Sequence, residues 1–306
     1  MVICSTETSL EKQCSEENIH NHKIAMTQKQ KTLTLVPVGG LGNRIGAISS
    51  ALCFCREKRR NLDIIWFKDQ GLNCNFDKLF FIDPKIRNVT IRNAKVLDFI
   101  LRDNPRKRNL WITRLFEKCL YNRCIYSDLV IRNEQPAYDE QFDSFQKIYL
   151  VSWGVYWKCL NMYQWIKPCK TIEEKVKQVT DSFLANTIGI HIRRTDNTAS
   201  IKYSPTRLFV EMMNKEVEND KNVKFYVASD SIEEKKYLMN LYGDRIITSM
   251  KETARNTEEG IINAFVEINI LSRTNKIYGG YYSTFAQISA ALSDVNFIQL
   301  DLIDKL

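Results

Sequence analysis

The sequence predicts an α/β protein of two doubly wound domains facing each other across a cleft. Three observations predict it. Residues 32–67 read strand, glycine turn, helix, strand, which is the βαβ unit of a parallel sheet. Residues 171–300 alternate helix and strand throughout. The chain has 306 residues, the length of two ordinary domains. Both halves are therefore expected to be Rossmann-like, with residues 31–165 forming one and 166–306 the other.

Residues 1–30 are polar and unpatterned, and are expected to be a disordered leader. Met26 stands just before the first strand and is a candidate initiator. The strand at 32–38 is broken by Gly39 and Gly40, and Asn43 offers a cap for a helix to about residue 59. That helix carries Ile45, Ile48, Leu52 and Cys55 at helical spacing. A second strand follows at 62–67. Residues 69–143 are less regular, with an aromatic group (Phe76, Phe80, Phe81) and a basic cluster (Arg102, Arg106, Lys107, Arg108). The aromatic group is expected to be core, and the basic cluster a solvated face. Residues 147–151 form another strand. An amphipathic helix at 171–184 buries Ile172, Val176, Val179 and Phe183. Strands at 187–193, 223–228, 245–248, 276–278 and 296–300 then alternate with helices that start near Pro205, Glu233, Glu258 and Thr284.

Composition narrows the function classes. Net charge is +8, from 44 basic and 36 acidic residues spread along the chain. That balance suits an anionic ligand and does not indicate a nucleic-acid binder. Nine cysteines, with no CxxC pair, form an odd set and are expected to be reduced thiols in a cytoplasmic protein. Of three histidines only His191 lies outside the leader, and no HExxH or Asp-x-Asp pair occurs, so metal ligands are few and no metal is expected. No apolar run has membrane-crossing length, and the start lacks the basic-then-apolar pattern of a signal peptide. The expected attachment to a membrane is at most peripheral.

Chemistry concentrates at predicted strand ends. The stretch His191-Ile192-Arg193-Arg194-Thr195-Asp196 follows a buried strand, where open α/β sheets place their ligands. Arginine forks grip diphosphate, so Arg193 and Arg194 are candidate phosphate ligands. The alternative is a surface ion pair with Asp196. Asp230, just past the next strand, can accept from the N–H edge of a guanine or cap the following helix. Ser283 and Thr284, beside Gly279 and Gly280, can meet phosphate oxygens or cap their helix. His191 lies on the strand face of Arg193 and can pack on a nucleobase, or be a satisfied core ring. Gly40 and Gly42 open the first helix without GxGxxG spacing, and Asn43 and Arg44 are expected to project from that turn into the cleft.

These motifs resemble those of the GDP-fucose-dependent fucosyltransferases, the superfamily of the α1,2-, α1,6- and protein O-fucosyltransferases. The resemblance rests on Gly39-Gly40-Leu41-Gly42-Asn43-Arg44, His191 to Asp196, Tyr226 to Ser231, and the stretch from Gly260 to Phe285. It implies a GT-B arrangement and an inverting, metal-independent transfer of fucose from GDP-fucose to a glycan acceptor, with no cofactor. Carried over by position, Arg193 holds the β-phosphate and Arg194 supports the diphosphate. His191 and Asp230 read the guanine, and Ser283 and Thr284 donate to phosphate. Asn43 reaches across from the acceptor side, beside Gly40, Gly42 and Arg44. The α1,6 members carry a glutamate beyond the first motif; residues 197–202 hold no carboxylate here, so the acceptor-activating base is not identified, the alternatives being Asp196 (which can instead orient Arg193 or Arg194), a base from the N-terminal domain, or little base assistance. A polysaccharide-assembly role in the cytoplasm would fit. The alternatives are a catalytically inert nucleotide- or glycan-binding module on this scaffold, and a transferase using another nucleotide sugar.

Overall fold

The computed structural model describes residues 30–69, 71–102, 111–126, 143–195 and 197–303. Asp196, the basic residues Arg106, Lys107 and Arg108, and the leader up to residue 29 with Met26 lie outside the described residues.

The first half contributes β1 (Thr32–Pro37), α1 (Leu41–Glu57), β2 (Asn61–Trp66), β3 (Phe80–Ile82), β4 (Val89–Asn93), α2 (Asp98–Leu101), α3 (Trp111–Leu120), β5 (Arg123–Ile125), β6 (Lys147–Ser152) and β7 (Ile166–Pro168). Five of the strands form a parallel sheet in the order β4-β2-β1-β6-β5. The chain leaves central β1 towards β2 on one side and returns as β6 on the other. α1 covers one face with Leu41, Ile45, Ile48 and Leu52. The other face presents Val36, Ile65, Phe67, Tyr149 and Val151, with Phe99 and Tyr121 packed on it. β3 and β7 form a separate antiparallel pair.

The second half contributes α4 (Lys170–Thr180), β8 (Ile188–Ile192), α5 (Thr198–Tyr203), α6 (Thr206–Asn219), β9 (Phe225–Ser229), α7 (Ile232–Tyr242), β10 (Ile246–Thr248), α8 (Glu258–Leu271), β11 (Lys276–Gly280), α9 (Thr284–Leu292) and β12 (Asn296–Leu300). Its parallel sheet has the order β10-β9-β8-β11-β12. β8 and β9 are buried at every residue, as strands covered on both faces must be. Two α/β halves of Rossmann-like build therefore meet, and one apolar core runs through both, with Phe80 against Phe265 at 6.1 Å.

Three expectations change. α1 begins at Leu41, with Gly40 and not Asn43 in the capping position. Gly39 makes the turn possible, because its φ of 86° is the left-handed region that side chains disfavour. The irregular middle supplies two edge strands, β4 and β5. The thiols are not all reduced: Cys53 of α1 is bonded to Cys159, 106 residues on, with a Cα–Cα distance of 5.8 Å. α1 and the segment after β6 lie side by side, which brings the two sulfurs together. Tyr156 N–H donates to Ser50 Oγ at 3.1 Å on the same contact.

Candidate active site at the two switch points

In an open parallel sheet, ligands bind where neighbouring strands run their connections in opposite directions. In the second half that point lies between β8 and β11, and in the first between β1 and β6. The turn after β1 lies against the helix after β11: a Cβ on Gly42 would stand 3.4 Å from the Thr284 carbonyl oxygen. Asn43 is further held by its carbonyl, which accepts from Gly154 N–H at 3.0 Å.

A cavity of about 770 Å³ opens between these strand ends. Gly40, Gly42 and Asn43 line it from the first half, and His191, Arg193, Asp230 and Thr284 from the second. Seven of the residues singled out in the sequence are thus brought to one space.

The strand period explains which neighbours enter it. Side chains alternate across a strand, so His191 and Arg193 share one side and Ile192 and Arg194 the other. Ile192 is buried in the core with Phe209. Arg194 follows it, with its guanidinium carbon 5.9 Å from the Phe209 ring centre. Its Nη2 donates to Thr206 Oγ1 at 3.1 Å and stands 3.5 Å from Glu234 Oε1. Arg194 therefore anchors the turn to α6 and α7 instead of lining the cavity, which corrects its placement as a diphosphate ligand.

Asp230 does not cap α7; Ser231 does, accepting from Glu234 N–H. Asp230 holds the turn that follows β8. Its Oδ1 accepts from Arg194 N–H at 2.7 Å, and its Oδ2 from the N–H and hydroxyl of Thr195 at 3.2 and 2.7 Å. The carboxylate so fixes the backbone that carries Arg193.

His191 is buried beside Arg193. Its ring stacks on Phe285 at 4.5 Å and 13°, and Nδ1 lies 2.8 Å from Ser283 Oγ. Ser283 caps α9 by accepting from Ala286 N–H, so its hydroxyl proton is available to Nδ1. When that hydroxyl donates, the proton of a neutral ring sits on Nε2. Burial pushes the histidine down to about 3, opposed by Asp230 and reinforced by Arg193, Lys235 and Arg194. Ser283 lies beneath the cavity wall and acts through His191, while Thr284 faces the space itself.

Arg44 is turned away. It is 0% exposed, with Nε donating to Gly39 O at 2.9 Å, Nη1 to Phe67 O at 2.5 Å and Nη2 to Asp69 Oδ2 at 2.8 Å. Its guanidinium lies over Trp66 at 4.8 Å. Consecutive helix residues diverge by about 100°, and here that step turns Arg44 back towards Phe67 and Asp69 while Asn43 lines the cavity. Arg44 supports the glycine turn from behind, a correction to its expected role in binding.

Several lining residues were not anticipated, and two of them pair with each other. Lys235 of α7 and Glu267 of α8 form a buried ion pair in the cavity wall, Nζ to Oε1 at 2.9 Å, and Nζ also donates to Ser249 O at 2.8 Å. Burial pushes the Glu267 carboxyl up to about 7, with Lys235 opposing and Asp230 adding to the rise. Glu267 sits three residues after Ala264 and four before Leu271, inside the inward stripe of its helix, which is the signal that could have found it. Among the described residues, no group of three or more His, Cys, Asp or Glu side chains could hold a metal ion.

No family model and no curated protein matches the sequence. Solved structures do match. The fucosyltransferase NodZ from Bradyrhizobium superposes with a TM-score of 0.62 at 17% identity, covering 90% of this chain and 96% of NodZ. A point mutant of Arabidopsis thaliana FUT1 in complex with GDP gives 0.55 at 15%, covering 97% and 80%. POFUT1 in complex with GDP-fucose gives 0.55 at 11%, covering 90% and 98%. The chain therefore has the two-sheet fold of the fucosyltransferases NodZ, FUT1 and POFUT1.

Proposed function

We propose that the protein is an inverting, metal-independent glycosyltransferase that moves fucose from GDP-fucose to a glycan acceptor. The observation that carries this reading is Arg193, fixed at the carboxyl end of β8 by the Asp230-held turn and lining a cavity that Asn43 closes from the other half.

In a single displacement the acceptor hydroxyl oxygen bonds to the sugar C1 as the C1–O bond to the β-phosphate breaks. Negative charge grows on the departing GDP. Arg193 neutralises it, and the N-terminus of α9 at Thr284 adds oriented N–H groups. Preorganised donors of this kind act without reorganising during the step. Neutral His191 offers Nε2–H to the donor's polar edge. Asn43 orients the acceptor from the first half. Asp196 is the carboxylate that the sequence offers to take the acceptor's proton. The fold shared with NodZ, FUT1 and POFUT1 supports this reading, as do the complexes of FUT1 with GDP and of POFUT1 with GDP-fucose.

The test is a thermal-shift panel followed by turnover. GDP should raise the melting temperature where UDP and ADP do not. Purified protein should release GDP from GDP-fucose only when a glycan acceptor is added. A shift by UDP or ADP alone, or GDP binding with no acceptor-dependent release, would sink the proposal.

A further inference from the structure

α3 is built inside out. Its inward residues are Thr113 and Glu117, the latter 0% exposed, while Trp111, Ile112, Leu115 and Phe116 face outward, Trp111 at 72% exposure. Positions 111, 112, 115 and 116 form a single stripe at helical spacing. Thr113 Oγ1 donates to Ile100 O at 2.6 Å, which ties the helix to α2 in this orientation. Val96 and Leu97, at 80% and 65% exposure, lie just ahead of α2, which packs against α3. An apolar face of this kind on a protein surface marks an interaction site.

Charge selects the occupant. From Lys95 to Tyr126 the sequence has eight basic residues against three acidic. Lys95 and Lys118 are exposed beside the stripe, whereas Asp98 and Glu117 are buried, Asp98 against Arg92. Apolar side chains flanked by exposed cations match the boundary of an anionic bilayer, where phosphate headgroups meet acyl chains. A second copy of the chain would set these cations against their own equivalents. No helix among the described residues is long and apolar enough to cross a membrane, so contact would be in the surface plane.

We propose that the outward face of α3, with Val96 and Leu97, docks the protein onto anionic membrane surfaces. Trp111, Leu115 and Phe116 enter the acyl boundary, and Lys95 and Lys118 meet the headgroups. None of these residues lines the cavity, so docking and nucleotide binding are separable.

The test is co-sedimentation of the full chain with vesicles of equal parts phosphatidylglycerol and phosphatidylcholine, and with phosphatidylcholine alone. The chain should pellet with the anionic vesicles and be released by salt. The pair Leu115→Ser and Phe116→Ser should leave it in the supernatant with its GDP-induced thermal shift unchanged. The pair Lys95→Glu and Lys118→Glu should weaken binding roughly tenfold or more. Failure to pellet with anionic vesicles overturns the proposal. So does pelleting that survives both pairs of substitutions, or a dimer on light scattering that the serine pair dissolves.

Discussion

Ser283 Oγ lies 2.8 Å from His191 Nδ1, and the ring it holds is stacked on Phe285. The histidine titrates near 6.5 when unfolded and is pushed down to about 3 when folded. As pH falls between those values the unfolded chain takes a proton that the native chain refuses. Wild type should therefore lose stability relative to His191→Gln from about pH 6.5 down towards 3, by at most ~1.4 kcal/mol per pH unit. Glu267 has the opposite sign, with its carboxyl raised from 4.5 to about 7. Relative to Glu267→Gln, wild type should lose stability as pH rises from about 4.5 to about 7. Urea titrations across pH 4–8 check both slopes; parallel curves for wild type and either variant would refute that assignment.

The adjacent arginines should separate cleanly. Arg193→Ala should fold with an unchanged melting temperature and lose on the order of 10²–10³ in turnover, the range for removal of one preorganised donor. Arg194→Ala should instead destabilise the protein by about 1–3 kcal/mol, because Thr206 and Glu234 lose the cation they share and keep only each other. A combined melt and GDP-release assay distinguishes the two. Equal kinetic losses with equal melting temperatures would mean that both arginines meet the diphosphate.

That separation shows what was legible in the sequence. The second half could be read element by element because each strand is a short apolar run and each helix has one apolar side. β8 and β9, buried throughout, give the clearest signals. The edge strands β4 and β5 were not legible. Val89–Asn93 is half-exposed and mostly polar, and Arg123–Ile125 is a three-residue strand fixed by pairing with β6. The strand-end motifs located the cavity, but side-chain direction decided membership. Period-two alternation separates Arg193 from Arg194, and helical rotation separates Asn43 from Arg44. Lys235 was hidden in a run of charges that reads as a solvated face; its burial depends on Glu267, which is distant in sequence.

The Cys53–Cys159 bond should appear as a mass two hydrogens below the reduced chain, and peptide mapping without reductant should join the two cysteines. It closes a loop of 106 residues between α1 and the segment that leads to β7. Cys53→Ser with Cys159→Ser should lower stability by about 2–4 kcal/mol, chiefly by freeing the unfolded chain. Equal urea midpoints for wild type with and without reductant would rule the bond out as a stabilising element.

Arg44 should matter for stability and little for the chemistry. Its guanidinium is fully buried, and its three nitrogens donate to Gly39 O, Phe67 O and Asp69 Oδ2. Arg44→Ala would leave Asp69, itself almost fully buried, without its cation and two carbonyls without donors. Breaking a buried pair from one side costs about 3–5 kcal/mol, because the remaining charge stays desolvated. Arg44→Lys keeps the charge but cannot reach three acceptors with one nitrogen, so it should recover only part of that loss. Arg44→Met with Asp69→Leu should recover more, since it removes both charges and keeps the volume over Trp66. The readout is the urea midpoint together with GDP affinity of the folded fraction. Stability should change in that order while affinity stays within about threefold of wild type, the spread expected for a residue outside the cavity. A large loss of affinity in Arg44→Lys at near-normal stability would place the side chain in the binding site after all.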